Sequence, residues 1–143
     1  MVRIVTSTGM DSGFIIDAAG YLLTNNYVVD GVETAKVVLS DGRSHNAVVM
    51  GRDLVRDMAV LKIPAGDLTV LTLGNSSGVV AGQQVIAIGY PADLVGEATT
   101  ASGLVSAIRR DQQRNLTWIQ IDAPINPRNS GGPLLNSRSE VSP

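Results

Sequence analysis

Short apolar runs rich in Val, Ile and Leu recur along the chain, each bounded by glycine, proline or aspartate. Runs of this length with β-branched residues between turn signals read as strands. Val2 to Thr6 is the first. Gly13 to Ile16 and Tyr21 to Thr24 flank Asp17-Ala18-Ala19-Gly20, which places glycine where a turn wants a positive φ. Thr34 to Leu39 runs into Asp41-Gly42, a hairpin signal, and Ala47 to Gly51 returns from it. Met58 to Ile63 is stopped by Pro64. After the polar stretch Gly74-Asn75-Ser76-Ser77-Gly78 come Gln84 to Ile88, Thr99 to Ile108, Trp118 to Ile121 and Pro133 to Leu135. No stretch of helical period and convincing length interrupts them. Two strand-rich halves joined between Pro64 and Gly82 suit two small barrels better than one sandwich.

Composition narrows this picture. A chain of 143 residues is one domain, or two small packed lobes. At that size roughly 68–70% of the unfolded surface can be buried. Hydrophobic residues make up 44% but aromatics only 3%, so the core must be aliphatic. A net charge of −2 gives no broad basic footprint for nucleic acid, and Asp111 interrupts the cluster of Arg109, Arg110 and Arg114. No cysteine is present, which excludes disulfides, a thiol nucleophile and a thiolate metal site within these residues. No stretch approaches the roughly 20 apolar residues of a membrane-spanning helix, and MVRIVTSTGM lacks the apolar core of a signal peptide.

The candidate chemistry is a serine among glycines. Ser130 lies in Asn129-Ser130-Gly131-Gly132-Pro133. A serine nucleophile needs a base to take its proton, a carboxylate to orient that base, and N–H donors aimed at the developing oxyanion. Neighbouring glycines let backbone and substrate approach closely. Taken alone, such a run is as often a turn.

Its company makes it specific. GFIIDAAGYLLTNNYVVDG, RDMAVLKIP, GQQVIAIGYP, ASGLVSAIRR and IQIDAPINPRNSGGPLLN follow one another in that order. Together they closely resemble the protease domain of the HtrA/Deg group of chymotrypsin-fold serine endopeptidases, over nearly the whole chain from about Val2 to Asn136. The resemblance implies an all-β fold of two six-stranded antiparallel barrels with the active site in the cleft between them. It implies a single protease domain over 1–143, its first barrel about 1–70 and its second about 80–143, with no PDZ domain among these residues. It also implies misfolded or extended polypeptides as substrates, homo-oligomers such as trimers, a cell-envelope or extracellular location, and no cofactor or metal.

Carried over position by position, the family's nucleophile falls on Ser130 and its orienting carboxylate on Asp57. The base, a histidine in the family, falls on Tyr27. The oxyanion-hole donors fall on the backbone N–H groups of Ser130 and of Arg128, where the family has glycine. A tyrosine hydroxyl is only about 0.1% ionised at pH 7 and has no second ring nitrogen to hold a carboxylate while facing the serine. Its expected partner is Asp57, as a satisfied structural pair. A non-glycine at 128 costs roughly 1–2 kcal/mol if a positive φ is needed there. His45, beyond the Asp41-Gly42 turn, is expected at the surface and away from the cleft. Asp122 reads as structural, and Asp57 retains a second reading as an ion-pair partner of Arg56. Family members continue past Leu135 with further strands, so the second barrel is expected to be incomplete, with an open edge and exposed apolar surface. The sequence thus supports an impaired protease, with a non-catalytic peptide-binding scaffold or a non-functional fragment as alternatives.

Overall fold

The computed structural model describes residues 1–90, 97–126 and 129–142. It is all-β apart from two single-turn 3₁₀ segments, at Asn26–Val29 and Ser76–Gly78. Six strands, β1 (Val2–Thr6), β2 (Gly9–Ile15), β3 (Tyr21–Asn25), β4 (Thr34–Leu39), β5 (Ser44–Asp53) and β6 (Met58–Lys62), close into a barrel in the order β1-β2-β3-β6-β5-β4. Every neighbouring pair is antiparallel. Closure leaves the barrel no free edge, and alternate residues point inward. Ile4, Leu22, Val37, Leu61 and Ile63 are fully buried at its centre. The aliphatic composition is what lets so small a barrel fill.

β7 (Gln84–Gly89), β8 (Thr99–Asp111), β9 (Leu116–Ile121) and β10 (Leu134–Leu135) form a second, four-stranded sheet in the order β10-β7-β8-β9. That order reproduces β4-β1-β2-β3 of the first barrel, so the second unit is a partial barrel of the same winding. Among the described residues it is open, with β9 paired only to β8 and β10 only to β7 among the named strands. The all-β, double-barrel expectation with an incomplete second unit is therefore met.

Strand ends differ from the expected ones where polar residues continue the ladder. β2 starts at Gly9 rather than Gly13, because Met10, Asp11 and Ser12 pair with Val5, Ile4 and Arg3. β5 spans Ser44–Asp53, and a register shift between Val49 and Gly51 keeps it paired with β6. β8 runs on to Asp111, and β9 begins at Leu116.

The two units pack through Phe14, Leu23, Leu135 and Val141, with Met58, Leu71 and Ile88 alongside. The connecting segment is fastened rather than loose. Leu71 N–H donates to Ile15 at 2.9 Å, and Val141 N–H to Thr72 at 2.8 Å. The Arg3 guanidinium lies 4.9 Å from the centre of the Tyr90 ring, joining β1 to the end of β7. Past β10 the chain turns at Asn136–Glu140, where Arg138 and Glu140 pair at 2.9 Å, and Val141 returns beside Leu135 and Leu73. No helix among the described residues is long and apolar enough to cross a membrane.

Candidate active site

The loop carrying Ser130 is built against the first barrel. Ser12 N–H donates to the Ser130 carbonyl at 3.0 Å. Thr24 Oγ1 donates to the Ser12 carbonyl at 2.8 Å, and Tyr90 N–H donates to Ser12 Oγ at 2.8 Å. Ser12 is fully buried, so a single serine of β2 stitches the loop, β3 and the end of β7 together. Gly131 lies at φ +78° with its Cα facing this junction. A Cβ there would sit 2.1 Å from the Ser12 carbonyl oxygen and 2.3 Å from Thr24 Oγ1. Glycine is thus required twice, for the backbone angle and for the approach. Gly132 N–H donates to the Asn129 carbonyl at 3.0 Å and closes the turn. Asn129 is buried against Gly89, and among the described residues its Oδ1 has no partner.

Tyr27 stands on the 3₁₀ turn Asn26–Val29, and Asp57 on the turn between β5 and β6. Asp53 Oδ1 accepts from the N–H groups of Val55 and Arg56, each at 3.0 Å, which folds that turn back. Asp57 then adopts φ 52°, a left-handed conformation that short polar residues tolerate. The result is a clamp. The Asp57 carbonyl accepts from Asn26 N–H and Asn25 Nδ2, both at 3.0 Å, and Asp57 Oδ1 accepts from Tyr27 N–H at 2.9 Å. Arg52 Nη1 donates to Asn26 Oδ1 at 3.0 Å and secures the same turn from behind.

The expected pairing of the Tyr27 hydroxyl with Asp57 does not occur. Asp57 takes up the backbone N–H of Tyr27 instead. The Tyr27 hydroxyl donates to Asp11 Oδ1 at 3.4 Å. Partial burial is the main influence raising the Tyr27 phenol above its ordinary value of about 10. The carboxylates of Asp11 and Asp57 add to the rise, and the Ser130 side chain opposes it. Tyr27 nevertheless remains 51% exposed at the mouth of the cleft.

Other expectations resolve locally. Arg56 pairs with Asp53 at 2.9 Å, not with Asp57. Asp122 Oδ1 accepts from Leu104 N–H at 2.6 Å beside the β8 bulge, a structural use. His45 lies on β5 opposite Val37 and is half-buried with its Nε2 enclosed, rather than at the surface. The inward alternation of β5 carries its ring toward the interior. Arg128 lies outside the described residues. Sequence reasoning missed Asp11 and Ser12, because Met10-Asp11-Ser12 reads as a polar approach to β2 rather than as part of it.

Beside Ser130 lies a cavity of about 220 Å³ whose walls include Ile88, Ile121 and Ile125. A half-buried serine stands beside an aliphatic recess, and the Asp57 clamp holds the turn that carries Tyr27. A profile of the trypsin-like peptidase domain matches residues 11–142. The chain belongs to the trypsin-like peptidase family. Within that family its relatives are of HtrA/DegP type. It is 46% identical over 134 residues to a probable periplasmic DegP-like serine endoprotease of Halomonas elongata, covering 92% of this chain and 28% of that protein. It is also 46% identical over 141 residues to the putative serine protease HhoA of Synechocystis, covering 93% of this chain and 35% of that one. The peptidase domain described here thus spans about a third of the length of these relatives. Among solved structures, the HtrA-type protease AlgW with a tripeptide matches at a TM-score of 0.88 and 39% identity, over 98% of this chain and 48% of that one. AlgW with a decapeptide matches at 0.82 and 40%, over 93% and 41%.

Proposed function

We propose that this trypsin-like peptidase domain holds extended polypeptide in the cleft beside Ser130, with Ser130 in the nucleophile position and turnover strongly reduced. What supports the reading is a tyrosine, Tyr27, held through its backbone N–H by Asp57 Oδ1 at 2.9 Å, where the resemblance expects the family's histidine. Attack on a peptide carbonyl requires the serine proton to leave as the C–O bond forms, and a phenol is far too weak a base to take it near neutral pH. Loss of the base in a serine peptidase lowers turnover on the order of 10⁶, about 8 kcal/mol of barrier. Binding and the remaining oxyanion donors still leave reactivity above that of water.

Asp57 supports the turn that carries Tyr27 rather than polarising an imidazole. Arg128 takes the glycine position of the oxyanion hole and weakens it further. The aliphatic walls at Ile88, Ile121 and Ile125 suit an apolar side chain of the bound polypeptide. Relatives described as periplasmic favour the cell envelope as the setting. A fluorophosphonate probe tests this reading. Slow labelling of the protein that disappears in Ser130→Ala is expected. Labelling as fast as in an intact HtrA peptidase would defeat it. A non-catalytic role in holding peptides is the second reading, and the same cavity favours it.

A further inference from the structure

We infer that Ser12 and Thr24 are the positioning residues of the site, setting where Ser130 stands relative to the turns that carry Tyr27 and Asp57. The inference rests on Ser130 being the nucleophile, as proposed above, and concerns how that serine is held in place.

Three observations converge. Ser12 N–H donates to the Ser130 carbonyl at 3.0 Å, so the serine loop takes its place from β2. Thr24 Oγ1 donates to the Ser12 carbonyl at 2.8 Å, which ties the next peptide unit of β2 to β3. Tyr90 N–H donates to Ser12 Oγ at 2.8 Å and fixes its side chain against the end of β7. Ser12 and Thr24 are both buried, so water is kept from substituting for the Thr24 hydroxyl. Thr24 in turn belongs to the strand that runs into the turn of Tyr27. It pairs with Ala59, and its neighbour Asn25 pairs with Met58, the residue that follows Asp57.

The spacing between the serine and the base position is therefore carried by β2 and β3 rather than by the side chains that would react. Such a frame stays in place whichever residue stands at position 27. It is also tight, since a Cβ on Gly131 would meet both the Ser12 carbonyl oxygen, at 2.1 Å, and Thr24 Oγ1, at 2.3 Å. A nucleophile displaced by about 1 Å loses on the order of 100-fold in rate. Neither Ser12 nor Thr24 needs to touch a substrate for the frame to matter, because both act through the backbone of Ser130.

The test is the rate of Ser130 labelling by an alkyl fluorophosphonate in the Tyr27→His, Arg128→Gly protein, at a temperature where each variant is fully folded by its own thermal transition. Thr24→Val keeps the shape and removes the hydroxyl. It should slow the rate at saturating probe about tenfold or more, while the half-saturating concentration changes less than about threefold. Thr24→Ser returns the hydroxyl and should recover the rate to within about threefold of the background. A merely structural role would lower the melting temperature and leave the rate of the folded protein unchanged. A rate in Thr24→Val within twofold of the background, or an equal loss in Thr24→Ser, would overturn the inference. Should Thr24→Val not fold, Thr24→Ala against Thr24→Ser isolates the hydroxyl and decides by the same margins. If the background protein labels and the Thr24 variants match it, the positioning role alone fails. If the background protein does not label, Ser130 is not the nucleophile, and both readings fail.

Discussion

Tyr27 brings a single hydroxyl to the position where the family resemblance expects an imidazole, and that hydroxyl donates to Asp11 Oδ1 at 3.4 Å. Burial and the neighbouring carboxylates favour its neutral form. This has a consequence for stability. A phenol whose ionisation is raised on folding keeps its proton in the native state while the unfolded chain begins to lose it. Stability from this residue is intact below about pH 10 and falls as pH rises from there through the native value. The thermal midpoint of the parent should therefore fall more steeply than that of Tyr27→Phe between about pH 9 and pH 11. Equal slopes would show that Tyr27 is not perturbed. TNNYVVDG puts Tyr27 at the base position by resemblance, and that assignment is a proposal; the partner of its hydroxyl was not legible in the sequence. Choosing between Asp57 and Asp11 depends on how the 3₁₀ turn tilts the ring, and that follows from the Asp57 clamp on backbone groups of residues 26 and 27.

At the scale of elements, the segment from Asn129 to Gly132 is held by close contact with β2 and β3. Gly131→Ala must strain φ at +78° and drive a methyl into the Ser12 carbonyl, so it should destabilise by about 2–5 kcal/mol in urea unfolding. Gly42 also has a positive φ, +88°, but open space around it. Gly42→Ala should cost only about 1–2 kcal/mol. Similar losses at the two positions would contradict the packing described for the loop. The strands themselves were readable from their apolar runs, and the Asp41-Gly42 hairpin from its turn residues. What escaped was the polar beginning of β2. Met10, Asp11 and Ser12 belong to the strand because β1 supplies the opposing ladder, and pairing partners distant in sequence leave no local mark. The burial of His45 escaped for the same reason, being set by its register opposite Val37.

At the scale of the molecule, a closed barrel is joined to an open sheet of the same winding. The closed unit hides its aliphatic core, whereas among the described residues the open one has β9 paired only to β8, with Trp118 on β9 57% exposed and Leu104 on β8 45% exposed. Unpaired strand edges with apolar side chains recruit other strands. The isolated chain should therefore associate with rising concentration in sedimentation experiments, and Trp118→Lys should weaken that association. A chain that stays monomeric at high concentration would show the edge to be protected. The two-unit plan was legible as two strand-rich halves, and the family resemblance supplied the winding that periodicity alone does not give. The account turns on the claim that a peptidase site is present and disabled at its base. Casein cleavage by the parent chain, set against Tyr27→His with Arg128→Gly, tests it most directly. The parent should be indistinguishable from Ser130→Ala, and the double variant should cleave measurably faster than both. Cleavage by the parent at the rate of the double variant would contradict the account.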